Sequence, residues 1–226
     1  AKESREEATQ YWDDLTGKRF KSHLVREARA EEMGEVRKPN LYSKVPISRC
    51  WEETGAAPIG VRWVDINKGD SVHPEFRSRV VGQELKVDRR DDLFAATPPL
   101  EAKKMLFSMA TTEGIGYKGN PRSGMKIDFI DVKRAYFHAE AKRDVYLELP
   151  EEDKEEGMCG KLVHWLYGFR PAAAAWEKHY AGKLESVGFV RGISCSVVFY
   201  HPEKDLSLCL LYTSDAADEG LGVDLG

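Results

Sequence analysis

The order in which strand-like and helix-like runs follow one another most constrains this chain. "VRWVDI" (61–66) and "FRSRVV" (76–81) are β-rich runs of alternating character, and the polar, turn-rich "NKGDSVHPE" lies between them. The pair reads as a hairpin with a longer loop. "TPPLEAKKMLFSMATTEG" (97–114) reads as a helix, with Thr97 as N-cap, Pro98 at the first helical position and Gly114 after the end. "MKIDFIDV" (125–132) reads as a buried strand bearing two acids, and "DVYLEL" (144–149) and "KLVHWLYG" (161–168) as further strands. In "AAAAWEKHYAGKLESVG", Trp176, Tyr180, Leu184 and Val187 recur at spacings of 4, 4 and 3, one apolar stripe of a helix, with Gly188 where a C-terminal cap belongs. "SCSVVFY" (194–200) and "LSLCLLY" (206–212) flank "HPEKD" and read as a second hairpin. The order ββ, α, β, ββ, α, ββ implies an α+β fold, with helices on one face of a largely antiparallel sheet.

Composition narrows the classes. The 226 residues are 42% hydrophobic and 32% charged, enough apolar material for a core and enough charge for a soluble chain. No apolar run approaches the length of a membrane span. The charged start, "AKESREEATQYW", is not a secretory signal, and without an initiator Met it reads as part of something longer. A net charge of −4 gives no global pull toward nucleic acid, so such contacts must come from local patches. Cys50, Cys159, Cys195 and Cys209 are widely spaced without CxxC, which argues against a zinc site and fits reduced, intracellular thiols. The six histidines form no HExxH. Residues 1–44 read as a charged helical arm or linker, because 1–40 hold nine Lys/Arg and nine Asp/Glu among sparse apolar positions.

The chemistry concentrates in "KIDFIDVKRAYFHAE". Strand alternation puts Ile127, Phe129 and Asp131 on one face and Asp128, Ile130 and Val132 on the other. A carboxylate among Phe129, Ile130 and Val132 needs a cation, a hydrogen-bond partner or a metal if buried. Tyr136 and Phe137 follow closely enough to wall the same pocket. The plain alternative is a strand-end Asp that caps the next turn.

"FIDVKRAYFHAE" resembles the reverse-transcriptase motif in which an Asp ends a palm strand, the next residue lends a carbonyl to metal, and an aromatic five positions on screens the sugar. The resemblance then runs through the chain in order. "FRSRVVG" is similar to the (Y/F)KARLVA segment of copia-type retrotransposon polymerases, and "DLFAATPPLEAKKMLFSMA" to their "TFSPVxxxxxIRxLLALA". "DVYLELPEE" resembles "EVYMxQPxGF", and "KLVHWLYGFRPAAAAWEKHYAGKLESVGF" resembles "KLxKALYGLKQAPRAWxxxLxxxLxxxGF". The resemblance implies fingers and a partial palm over 45–208. It also implies nucleotidyl transfer with two Mg²⁺ ions, an RNA or DNA template-primer and a dNTP. By the same mapping Asp131 is the first metal ligand, Val132 contributes a backbone carbonyl and Tyr136 screens the sugar. Arg77, Arg79 and Arg170 would hold the nucleotide, a guanidinium fork being suited to phosphate oxygens. For Arg77 and Arg79 the alternative is a solvated strand face. Residues 76–90 hold five Lys/Arg against two Asp/Glu, a local basic balance suited to a template backbone or to an ordinary exposed hairpin.

The chain departs from that pattern twice. In "LYGFRPAAAAW", Pro171 stands at the usual Gln and Ala174 at the usual Arg, so nucleotide positioning there is weakened, and Trp176 reads as core first. The family also needs Tyr-x-Asp-Asp after an apolar strand. Here Tyr212 is followed by Thr213, Ser214 and Asp215, with Ser214 at the first and most important Asp, and Asp218 and Glu219 come later. A serine hydroxyl does not replace a carboxylate's charge at Mg²⁺. "CLLYTSDAADE" is also what a widely used transposase-based sequencing-library adapter spells in one reading frame, so 209–226 are expected to be a non-native tail. The reading is therefore a fragment of a copia-type polyprotein polymerase, inactive as written. Its alternatives are a non-catalytic nucleic-acid-binding remnant using Arg77, Arg79 and the charges at 86–90, a nuclease using Asp128 and Asp131, and an α+β fragment that folds poorly.

Overall fold

The computed structural model describes residues 10–70, 72–84, 100–112 and 125–210. They are mixed α+β, with four α-helices and several small antiparallel sheets in place of one large sheet. The chain divides into two compact units, residues 1–87 with 140–172, and residues 88–139 with 173–226.

In the first unit, β1 (Tyr11–Trp12) and β2 (Arg19–Phe20) form a short antiparallel ladder ahead of α1 (Ser22–Arg37). The face of α1 that carries Val25, Met33 and Val36 is buried, at the i, i+8, i+11 spacing of a helical stripe. Its apolar face is thus packed where a solvated arm would leave it in water. β4 (Val61–Asn67) and β5 (Phe76–Gly82) form the expected hairpin, paired from Val61↔Gly82 to Asn67↔Phe76. The loop is held by its own side chains. Asn67 Oδ1 accepts from the amides of Gly69 and Glu75, and Asp70 Oδ1 from those of Val72 and His73.

A three-stranded sheet in the order β3–β7–β6 completes the unit, built from β3 (Tyr42–Pro46), β7 (Met158–Leu162) and β6 (Tyr146–Leu147). β7 begins before the expected 161–168 strand and stops at Leu162, after which the chain turns. β6 is a two-residue core of the expected 144–149 strand. Between β3 and β4 lies α2 (Ile47–Thr54), which ends on Gly55 in the left-handed region at φ +67°. Val45, Cys50, Tyr146 and Cys159 form the core under it, with Ile47 packed alongside.

The second unit holds α3 (Leu100–Thr111), most of α4 (Ala172–Ser186) and a sheet in the order β10–β9–β8. These strands are β8 (Val190–Arg191), β9 (Val198–His201) and β10 (Leu206–Cys209). β9 and β10 are the second expected hairpin. Thr97, Pro98 and Gly114, read as the ends of α3, lie outside the described residues. The α4 stripe is buried at Trp176 and Tyr180, is half-buried at Leu184 and emerges to solvent at Val187. Tyr180 meets the fully buried Phe199 edge-on at 5.9 Å. Gly188, at φ +97°, follows α4 as expected, and a side chain there would crowd the His201 ring.

One expectation is overturned. Residues 125–132 form no strand, and Ile127, Phe129, Ile130 and Val132 are exposed, Phe129 by 75% and Ile130 by 81%. Alternation marks a segment that would suit a sheet, but a strand needs a hydrogen-bonded neighbour, and among the described residues none lies beside it. No helix among the described residues is long and apolar enough to cross a membrane.

Candidate functional site

The six residues singled out by sequence fall three to each unit: Arg77, Arg79 and Arg170 in the first, Asp131, Val132 and Tyr136 in the second. Arg77 and Arg79 stand two apart on β5, as alternation requires. Arg77 is half-buried. Arg79 is buried, 8% exposed, and is turned into the fold. Its Nη1 lies 3.4 and 3.3 Å from the two carboxylate oxygens of Glu32 on α1, and its guanidinium carbon sits 5.1 Å from the centre of the Tyr167 ring.

Arg170 follows a tight corner. Gly168 has φ +79°, and a side chain there would run into the Gly82 carbonyl oxygen, so this corner accepts only glycine. Gly82 is itself packed against the Phe169 ring, and its amide donates to the Tyr167 carbonyl at 2.8 Å. The Arg170 amide donates to Glu84 Oε2 at 2.8 Å, and Glu84 also pairs with Arg143. Pro171 then precedes the start of α4, where its missing N–H costs no helical bond.

In the second unit Asp131 and Asp128 are both exposed, on the irregular segment described above. The burial that would have demanded a partner for Asp131 is absent, and so is the strand that would have split the two acids between faces. After Asp131 the chain turns through Arg134, left-handed at φ +52°, into a 3₁₀ turn, Ala135–His138. That turn buries Phe137 and leaves Tyr136 half-buried, so of the two aromatics Phe137 anchors the turn and Tyr136 stands nearer the surface. The His138 ring lies 6.0 Å from that of Trp176. Val132 is exposed beside Asp131.

Mg²⁺ takes near-octahedral oxygen coordination, and two ions need several carboxylates. Among the described residues no group of three or more His, Cys, Asp or Glu is placed to hold a metal ion. One exposed aspartate with a second three positions earlier does not make such a site. Tyr212, Ser214, Asp215, Asp218 and Glu219 lie outside the described residues.

The groups that sequence reasoning passed over are ion pairs inside the first unit. Arg29 of α1 pairs with Asp65 of β4 at 2.5 Å and stacks on the Tyr11 and Trp63 rings at 4.7 and 4.9 Å. Ser78 donates to the same carboxylate at 2.7 Å, and the Asp65 amide donates to Asp14 Oδ2 at 2.7 Å. Near α2, Glu53 accepts from Lys161 at 2.7 Å, from the Tyr146 hydroxyl at 2.5 Å and from Arg49 at 2.6 Å. These three donors, Lys161 foremost, hold the Glu53 carboxyl down at about 2. Lys161 is raised in turn by Asp144 and Glu53. Burial, with Asp153 as hydrogen-bond partner, raises Tyr42 far above the ordinary phenol range, and burial raises Tyr180 to about 12. The signal that would have found these groups is a charge set inside an apolar helical period, as Glu32 is beside Met33.

A family model described as reverse transcriptase (RNA-dependent DNA polymerase) matches residues 51–216. The chain is 24% identical over 215 residues to the retrovirus-related Pol polyprotein from transposon TNT 1-94 of Nicotiana tabacum, an alignment covering 89% of this chain and 15% of that protein. The chain therefore spans a small part of that relative's length. No solved structure matches it. With that match spanning most of its length, the chain belongs to the reverse transcriptase (RNA-dependent DNA polymerase) family.

Proposed function

We propose that this chain is the fingers and partial palm, residues 45–208, of the RNA-directed DNA polymerase of a copia-type retrotransposon polyprotein. The single observation that carries the reading is the family match over 51–216, which encloses Asp131, Arg77, Arg79 and Arg170. In the parent protein Asp131 would be a metal-binding carboxylate with the Val132 carbonyl beside it, Tyr136 would lie against the sugar, and β5 and Arg170 would meet the triphosphate. Mg²⁺ held there would supply Lewis-acid chemistry at the phosphate oxygens. Template-primer and dNTP are then the partners. The exposure of Asp131, Asp128 and Val132 supports their reach to a ligand.

Residues 209–226 are, on this reading, read-through of foreign DNA that replaces the native acidic pair. The test is the genomic sequence downstream of the Leu208 codon in the source organism. A Tyr-x-Asp-Asp or similar acidic pair is expected there. Independent clones encoding Thr213-Ser214-Asp215-Ala216 would overturn the tail assignment. A second reading, a non-catalytic nucleic-acid-binding remnant, draws on Arg77, Arg79 and the basic balance of residues 76–90. Salt-dependent binding of a template-primer without any synthesis in the full-length parent would favour it.

A further inference from the structure

The family pattern treats the two arginines of β5 as equivalent, but their surroundings differ. Arg79 is 8% exposed and Glu32 is 2% exposed, so each is the other's counter-ion in a region nearly closed to water. The Arg79 guanidinium lies against the Tyr167 ring on the turn that pairs with Val81 and Gly82. A cation that serves a phosphate must reach solvent, and drawing Arg79 out would break its contact with the buried Glu32 carboxylate. The contact also belongs to a reciprocal pair. Positions 29 and 32 are three apart on one face of α1. Arg29 offers a cation to Asp65 of β4, while Glu32 offers an anion to Arg79 of β5. Both strands of the hairpin are thereby fixed to one helix that lies wholly before the family-matched region at 51.

We propose that Arg79 is a positioning residue, the buried counter-ion through which α1 fixes the β4–β5 hairpin, and not a contact to the nucleotide. The part of this inference that concerns nucleotide rests on the polymerase reading above. It leaves Arg77 as the β5 cation assigned to a triphosphate.

The test is a double-mutant cycle on the full chain with Glu32→Met, Arg79→Met and the double variant, followed by urea unfolding. Each single variant removes one member of a buried charge pair and is expected to lower the folded-to-unfolded ratio on the order of a hundredfold, whereas the double variant loses far less than the product. Losses that multiply independently would overturn the proposal. If a single variant does not fold, Arg79→Lys replaces it. This change keeps the charge and loses the fork and the ring contact, and it is expected to speed proteolysis within α1; unchanged proteolysis counts against the proposal. In parallel, inorganic tripolyphosphate binding is measured by calorimetry. The double variant is expected to bind as the wild type does, and Arg77→Met about tenfold more weakly. A folded double variant that has lost binding would also overturn the proposal. A wild-type chain that binds no tripolyphosphate would instead defeat the nucleotide reading of β5, and the unfolding cycle would then decide the role of Arg79.

Discussion

Glu53 gathers three donors from three elements: Arg49 on its own helix α2, Tyr146 on β6 and Lys161 on β7. Its folded-state acidity, at about 2, lies below the ordinary carboxylate value of 4.5. A group depressed in the folded state contributes stability that is fully present above its unfolded value and is lost as pH falls through its folded value. The contribution of Glu53 is therefore complete above about pH 5 and fades between about 4.5 and 2. Urea midpoints measured across that range are expected to fall with pH in the wild type and to fall less steeply in Glu53→Gln; parallel curves would remove this role. Gly168 sets a second expectation. Alanine there meets both a left-handed backbone and the Gly82 carbonyl oxygen. Gly168→Ala is expected to cost about 1–3 kcal/mol in urea unfolding, from strain and overpacking together. A change within the error of the measurement would show that the corner relaxes.

At the scale of elements, legibility tracked the source of stability. α4 could be read from Trp176, Tyr180 and Leu184, because its apolar period is what packs it. Both hairpins were legible from alternation around turn residues, and Asn67 and Asp70 do hold their loop as such residues should. α2 is hard to see in sequence, since Ser48, Arg49, Glu52 and Glu53 obscure its one buried residue, Cys50. In α1, Arg29 and Glu32 look like surface charges in sequence, and only their partners on β4 and β5 show that they are packed. The segment at 125–132 failed in the opposite direction. Its alternation states which side chains would share a face, and it cannot state that a neighbouring strand is present. The candidate site divides similarly. Asp131 was located by motif, but its exposure was not foreseen, and the motif did not separate Arg79 from Arg77. Removal of residues 1–44 supplies a check at this scale. With Val25, Met33 and Val36 buried, and with the Arg29–Asp65 and Glu32–Arg79 pairs among the ion pairs lost, the truncated chain is expected to unfold at a lower urea concentration and to expose the β4–β5 hairpin to protease. Equal midpoints for the two chains would restore the solvated-arm reading.

At the scale of the whole molecule, the chain is a reverse transcriptase family member that spans 15% of the length of the tobacco transposon polyprotein it resembles. Its two units each carry half of the candidate residues. Its net charge of −4 leaves nucleic-acid affinity to local groups. On the proposed reading, nucleotidyl transfer would be the work of the parent protein, with Asp131 as one of its metal-binding carboxylates. The most direct measurement is primer extension on an RNA template with Mg²⁺, using the chain as written beside Asp131→Ala. The expected result is no template-directed incorporation by either protein. Incorporation by the chain as written that disappears in Asp131→Ala would contradict it.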